Sequence, residues 1–122
     1  MSADPIGPVF AALADPTRRH VVETLVREGS TSVPALSAAL PITRQAIAKH
    51  LAALGDAGLI ERAPEGAGRE VRYRLRRGAL APASTWLDET AAAWDERLGR
   101  LKRSVVSRSG DRKRPPSRDV TA

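Results

Sequence analysis

Thr43-Arg44-Gln45-Ala46-Ile47-Ala48-Lys49-His50-Leu51-Ala52-Ala53-Leu54-Gly55-Asp56-Ala57-Gly58-Leu59-Ile60 is the stretch that decides the fold of this chain. Thr43 carries a hydroxyl suited to cap the first turn of a helix. Ile47, Leu51 and Leu54 recur at helical spacing and make one apolar stripe. Arg44, Gln45, Ala48, Lys49 and Ala52 fall on the other side. Gly58 supplies the left-handed residue that ends a helix, and Leu59 can fold back onto the last turn. The outer face therefore has long polar side chains at its start and small ones further on. Such a face can lie deep in a major groove, where Arg, Gln and Lys reach base edges and phosphates.

The flanks extend this reading. Residues 34–40 form a short helical pattern that Pro41 must end. Pro41-Ile42-Thr43 then reads as the tight turn of a helix-turn-helix. Residues 59–63 are strand-like, and Glu65-Gly66-Ala67-Gly68 is a turn. Residues 69–76 alternate, with Val71, Tyr73 and Leu75 on one face and Arg72, Arg74 and Arg76 on the other. That pattern predicts a half-buried hairpin strand with a basic outer face. The expected class is mainly α with a small β-hairpin, a winged helix-turn-helix.

Upstream, residues 9–14 make a short apolar helix or its end. Asp15 caps the next helix, with Pro16 at its first position. Val21, Val22, Leu25 and Val26 are expected to be its buried face, and Gly29 its stop. Ser30-Thr31-Ser32-Val33 is a link that can add one bridge to the hairpin sheet. Downstream, Leu87, Ala91, Trp94, Leu98, Leu101 and Val105 follow a three-four spacing. This heptad seam needs an apolar partner. Part of the helix folds onto its own domain, and Leu87, Ala91, Trp94, Leu98 and Leu101 are expected to pair with a second copy. Trp86 lies off the seam, suited to pack against the first helix of either copy. The expected organisation is one domain over residues 1–103, including a dimerisation helix at about 80–103, and a basic disordered tail over 104–122.

Composition limits the alternatives. A chain of 122 residues with 42% hydrophobic residues supports one small core, not an enzyme cleft within a large domain. The absence of cysteine excludes disulfides, thiolate metal sites and cysteine nucleophiles. The first residues show no secretory pattern and the longest apolar run, 9–14, is far too short to span a membrane. A cytoplasmic protein with no membrane partner is expected. Residues 100–122 hold 8 Lys/Arg and 2 Asp/Glu, which accounts for the whole formal charge of +6. Residues 40–78 are also basic, with 8 Lys/Arg against 4 Asp/Glu. Local charge on the reading element matters more for DNA than the total.

Four segments, in order, resemble the ArsR-type bacterial transcriptional regulators. They are Asp15-Pro16-Thr17-Arg18-Arg19, Ile47-Ala48-Lys49-His50-Leu51, Ala57-Gly58-Leu59-Ile60 and Arg72-Tyr73-Arg74-Leu75. The resemblance covers about residues 9–102. It implies a homodimer that binds a palindromic operator in double-stranded DNA and usually represses. Many such proteins sense metals through a thiolate pair in the segment that here reads Ser32-Val33-Pro34. Others use His and acids on the last helix, where this chain has Asp88, Glu89, Asp95 and Glu96 without His. A chain with no Cys and two scattered His lacks the ligands of a soft-metal site. A non-metal-sensing branch is therefore expected, with no metal ligand and no cofactor, and no effector is specified.

The candidate DNA contacts are Thr43, Arg44, Gln45, Ala48 and Lys49 in the helix and Arg69, Arg72 and Arg74 in the wing. Arg to guanine or Gln to adenine contributes roughly 1–3 kcal/mol of base discrimination each. Lys49 suits a base or a phosphate, and Ala48 and Ala52 permit close approach. Arg69 is suited to a narrow minor groove, Arg72 and Arg74 to phosphates. His50 reads as a packed or capping residue with an occasional phosphate contact, and His20 as exposed beside Arg18 and Arg19. The expected function is a sequence-specific repressor. A protein-interaction module would leave Arg44, Gln45 and Lys49 dispensable. A non-specific binder working through the tail would lose most affinity when cut after Lys102. An enzyme is not expected, since Gly66-Ala67-Gly68 lacks the Lys-Ser/Thr of a phosphate loop.

Overall fold

Local caps set the helical frame in a computed structural model of the chain, which describes residues 4–64, 68 and 70–109. Helix α1 (Gly7–Ala12) begins where the Asp4 carboxylate accepts the amides of Ile6 and Gly7 at 3.0 and 2.9 Å. Helix α2 (Pro16–Glu28) is capped by Asp15, whose Oδ2 accepts the Arg18 amide at 3.0 Å. Helix α3 (Val33–Ala39) is capped by Ser32, buried and bonded to the Ala35 amide at 3.2 Å. Helix α4 (Arg44–Asp56) is capped by Thr43, whose hydroxyl accepts the Ala46 amide at 3.0 Å. Each cap satisfies an amide that the helix itself leaves without a partner.

The exits are equally local. Gly29 ends α2 at φ +90° and donates to the Leu25 carbonyl at 2.8 Å. Gly58, at φ +80°, turns the chain after α4 so that the Leu59 amide reaches the Leu54 carbonyl at 3.0 Å. This is the paired bonding of a Schellman-type close, and it buries Leu59 completely.

Strands β1 (Ile60–Arg62) and β2 (Tyr73–Leu75) pair antiparallel, with Ile60 opposite Leu75, Glu61 opposite Arg74 and Arg62 opposite Tyr73. Tyr73 also exchanges two backbone hydrogen bonds with Thr31, at 2.8 and 3.0 Å. The link before α3 thus supplies the bridge expected of it. The core gathers Val9 and Ala12 of α1, Val21, Val22 and Leu25 of α2, Leu36 of α3, and Ile47, Leu51 and Leu54 of α4, closed by Leu59, Ile60 and Ala83. The buried face expected for α2 needs one correction, because Val26 is 67% exposed. Val21, Val22 and Leu25 share one arc of the helix, and Val26 lies a further step round beyond Val22. On the hairpin, Tyr73 and Leu75 pack against the core, whereas Val71, before the strand begins, stays exposed.

The described residues fall into two compact units, the first ending at Thr85 and the second starting at Trp86. The second is the long part of helix α5 (Ala81–Ser109). The helix continues past residue 103, where a disordered tail was expected to begin. Val105 keeps the apolar spacing going, and both Val105 and Val106 are exposed on the helix. Residues 110–122, the rest of the expected tail, lie outside the described residues. Leu87, Trp94, Leu98 and Leu101 are exposed in the single chain, Trp94 by 57%. Among the described residues no helix is long and apolar enough to cross a membrane.

Candidate nucleic-acid interface

Helix α4 is divided lengthwise. Ile47, Leu51 and Leu54 are buried, while Thr43, Arg44, Gln45, Ala48, Lys49 and Ala52 are all exposed. The apolar stripe anchors the helix to α1, α2, α3 and β1 and turns the opposite face to solvent. The first turn carries no acidic side chain, so its free amides and the Arg44 guanidinium present one positive end. The side chains of Arg44, Gln45 and Lys49 have no hydrogen-bond or ion-pair partner among the described residues. The Thr43 oxygen is occupied as an acceptor by its capping bond, and its hydroxyl proton remains available to a phosphate.

The wing cations are held differently. Arg72 donates from Nε to Ser30 Oγ at 2.9 Å and from Nη2 to the Ser30 carbonyl at 3.2 Å, with Glu70 3.7 Å from Nη1. Arg74 donates from Nε to Glu61 Oε2 at 2.9 Å, and Arg76 Nε lies 3.6 Å from the other oxygen of Glu61. One β1 carboxylate therefore holds two of the three arginines of the alternating run. The sequence displays their charge but not this restraint. Arg69, Glu65 and Gly66 of the expected wing tip lie outside the described residues.

A residue that sequence reasoning missed completes the face. Arg62 of β1 is exposed, with no side-chain partner among the described residues. It lines a cleft of about 320 Å³ between α4 and the hairpin, together with Ala48, Ala52 and Gly55 of α4. The sequence marks residues 59–63 only as strand-like, and a lone cation in a short strand carries no sign of which element it faces. The Asp15 to Arg19 segment also has a local structural role. Arg18 Nε donates to the Ala12 carbonyl and Arg19 Nη1 to the Leu13 carbonyl, each at 2.7 Å, and these bonds cap the end of α1. His50 is partly buried on the inner side of α4, its Nδ1 3.7 Å from Asp15 Oδ2. His20 is exposed.

A helix-turn-helix whose second helix presents free cations, followed by a two-stranded wing, defines a DNA-binding protein of the winged helix-turn-helix class. A helix-turn-helix domain model matches residues 13–63. The chain is 42% identical over 79 residues to the HTH-type transcriptional regulator Rv2034 of Mycobacterium tuberculosis, covering 65% of this chain and 71% of that protein. It is 33% identical over 107 residues to the arsenical resistance operon repressor of Escherichia coli K12, covering 86% and 90% respectively. A solved ArsR-like transcriptional regulator from Rhodococcus sp. RHA1 superposes with a TM-score of 0.72 at 41% identity, covering 84% of this chain and 92% of that one. The chain belongs to the ArsR family of helix-turn-helix transcriptional regulators, and these are DNA-binding regulators rather than enzymes.

Proposed function

We propose that this regulator is a homodimeric, sequence-specific repressor that acts at a palindromic operator and takes no soft metal as effector. The observation that carries this reading is the solvent-facing side of α4, with Arg44, Gln45 and Lys49 unpaired among the described residues above a buried stripe. In this reading Thr43, Arg44, Gln45, Ala48 and Lys49 enter the major groove. Arg69 reaches a narrow minor groove, and Arg72 and Arg74 meet the flanking phosphates, Arg74 through the guanidinium nitrogens that Glu61 leaves unengaged. The apolar side of α5 supports self-association, because Leu87, Ala91, Trp94, Leu98 and Leu101 repeat as a heptad and are exposed in the single chain. Two copies would set two reading helices about 34 Å apart, one turn of DNA, which calls for a palindromic site. Repression is supported by the Escherichia coli relative, which is named as an operon repressor. The absence of cysteine supports the non-metal branch. A DNA target also favours the cytoplasm as its location.

The test is fluorescence anisotropy of the purified chain on its own upstream region, near physiological salt and with excess random duplex as competitor. Saturable binding that resists competitor, at two chains per site, is the expected result. Weak binding of equal strength on every duplex would sink specific regulation at that promoter.

A further inference from the structure

Two side chains within the family-like segments, Asp15 and His50, take no part in the DNA contacts proposed above, yet they face each other. His50 projects from the inner side of α4, and its Nδ1 lies 3.7 Å from Oδ2 of Asp15, the cap of α2. That nitrogen is buried and has no hydrogen-bond partner among the described residues. The separation is too long for a hydrogen bond, and a closure of about 0.7 Å would make one. The same Asp15 oxygen already accepts the Arg18 amide. A buried ring nitrogen without a partner carries a free-energy cost that a small approach would remove.

The protonation state of the ring decides how well it can close. A neutral imidazole carries its one proton on either nitrogen. A protonated one has an N–H on both, so Nδ1 must present a donor and a charge to the carboxylate. Other charges do not compete at the same distance. Helices α1 and α3 contain no ionisable side chain. From α2, the Arg18 and Arg19 guanidiniums donate to the carbonyls that end α1. From β1, Glu61 is engaged by Arg74 and Arg76, and Arg62 is exposed. On α4 itself Lys49 and Asp56 are exposed. Among the described residues, Asp15 is the carboxylate paired with the His50 ring.

We infer that His50 is a positioning residue for DNA reading: on protonation it pairs with Asp15 and draws α4 against the N-terminus of α2. The helix that carries Arg44, Gln45 and Lys49 is thereby held more firmly at low pH. This inference rests on the DNA-binding reading of α4.

The experiment compares wild type, Asp15→Asn, His50→Gln and the double variant at about pH 5.5 and about pH 8, which bracket histidine titration. Asparagine caps a helix as well as aspartate does, so Asp15→Asn removes the charge and keeps the cap. His20→Gln is the control, because the chain holds 2 histidines. Thermal unfolding midpoints report the pair without DNA, and anisotropy on the chain's own upstream duplex reports reading. The midpoints should reveal coupling between positions 15 and 50 near pH 5.5 that vanishes near pH 8. Wild-type and His20→Gln affinity should rise about three- to tenfold more on acidification than that of Asp15→Asn or His50→Gln, a modest coupling on the affinity scale. Coupling that is equal at both pH values, or absent at the lower one, overturns the pair. Coupling in the midpoints with no difference in affinity overturns the positioning role. A protein that binds no duplex at either pH overturns the DNA reading and the positioning role with it, while the midpoints still report the pair.

Discussion

Glu61 and Arg74 stand directly opposite each other on β1 and β2 and are joined by a 2.9 Å charge-assisted hydrogen bond. The second oxygen of Glu61 lies 3.6 Å from Arg76 Nε, so a single carboxylate restrains two cations of the wing. Glu61→Gln should release both. We expect tighter binding to specific and random duplexes alike, with a steeper dependence on salt, since the freed charges meet phosphates rather than bases. The stability cost should stay at about 0.2–1 kcal/mol because the pair is partly exposed. Anisotropy across a salt series checks this, and unchanged affinity on both duplexes would show that the wing does not touch the backbone.

Arg44 and Lys49 share a face of α4 but should fail in different ways. Arg44→Ala is expected to cost roughly 1–3 kcal/mol on the preferred site and to relax preference at one base pair. Lys49→Ala, if the amine sits on a phosphate, should weaken binding about equally on all sequences and flatten the salt slope by about one. A panel of singly substituted duplexes separates the two.

Leu98 lies midway along the exposed apolar side of α5. Leu98→Lys places a charge in the proposed helix pairing, so wild type is expected to elute as a dimer and the variant as a monomer at the same concentration. Operator affinity should fall with it, because one chain then holds a single half-site. Light scattering coupled to gel filtration provides the check, and an unaltered dimer would move the interface elsewhere.

Leu54, on the inner side of α4, is fully buried. Leu54→Ala should lower stability by about 2–5 kcal/mol through lost burial and an unfilled cavity. The midpoint of thermal or denaturant unfolding measures it. A loss well under that range would mean that the surrounding core collapses into the space.

Gly58 has φ +80°, and a Cβ there would meet no atom within 4 Å. Gly58→Ala therefore tests backbone conformation alone. A cost of about 1 kcal/mol is expected from forcing an L side chain into the left-handed region. A neutral effect would mean that the turn after α4 relaxes.

Much of the frame is legible in the sequence because its determinants are local. Asp15, Ser32 and Thr43 each accept an amide three residues ahead, so side chain and partner lie within one turn. Gly29 and Gly58 end their helices through their own backbone freedom. The stripe Ile47, Leu51, Leu54 follows from helical spacing, and the free outer face of α4 follows from the stripe. These features identify the reading helix and the fold class without any knowledge of what packs where.

Tertiary structure decided what depends on residues distant in the chain. Ser30 and Arg72 lie 42 positions apart, and only the bridge between Thr31 and Tyr73 brings them within hydrogen-bond reach. The restraint of Arg74 and Arg76 by Glu61 depends on the pairing of β1 with β2, and the exposure of Arg62 beside Ala48 and Ala52 on the seating of β1 against α4. The meeting of His50 with Asp15 needs α4 seated against α2. Periodicity records which side of one element is apolar. It carries no record of which charge on one element meets which charge on another, because that distance is set by packing and not by position along the chain.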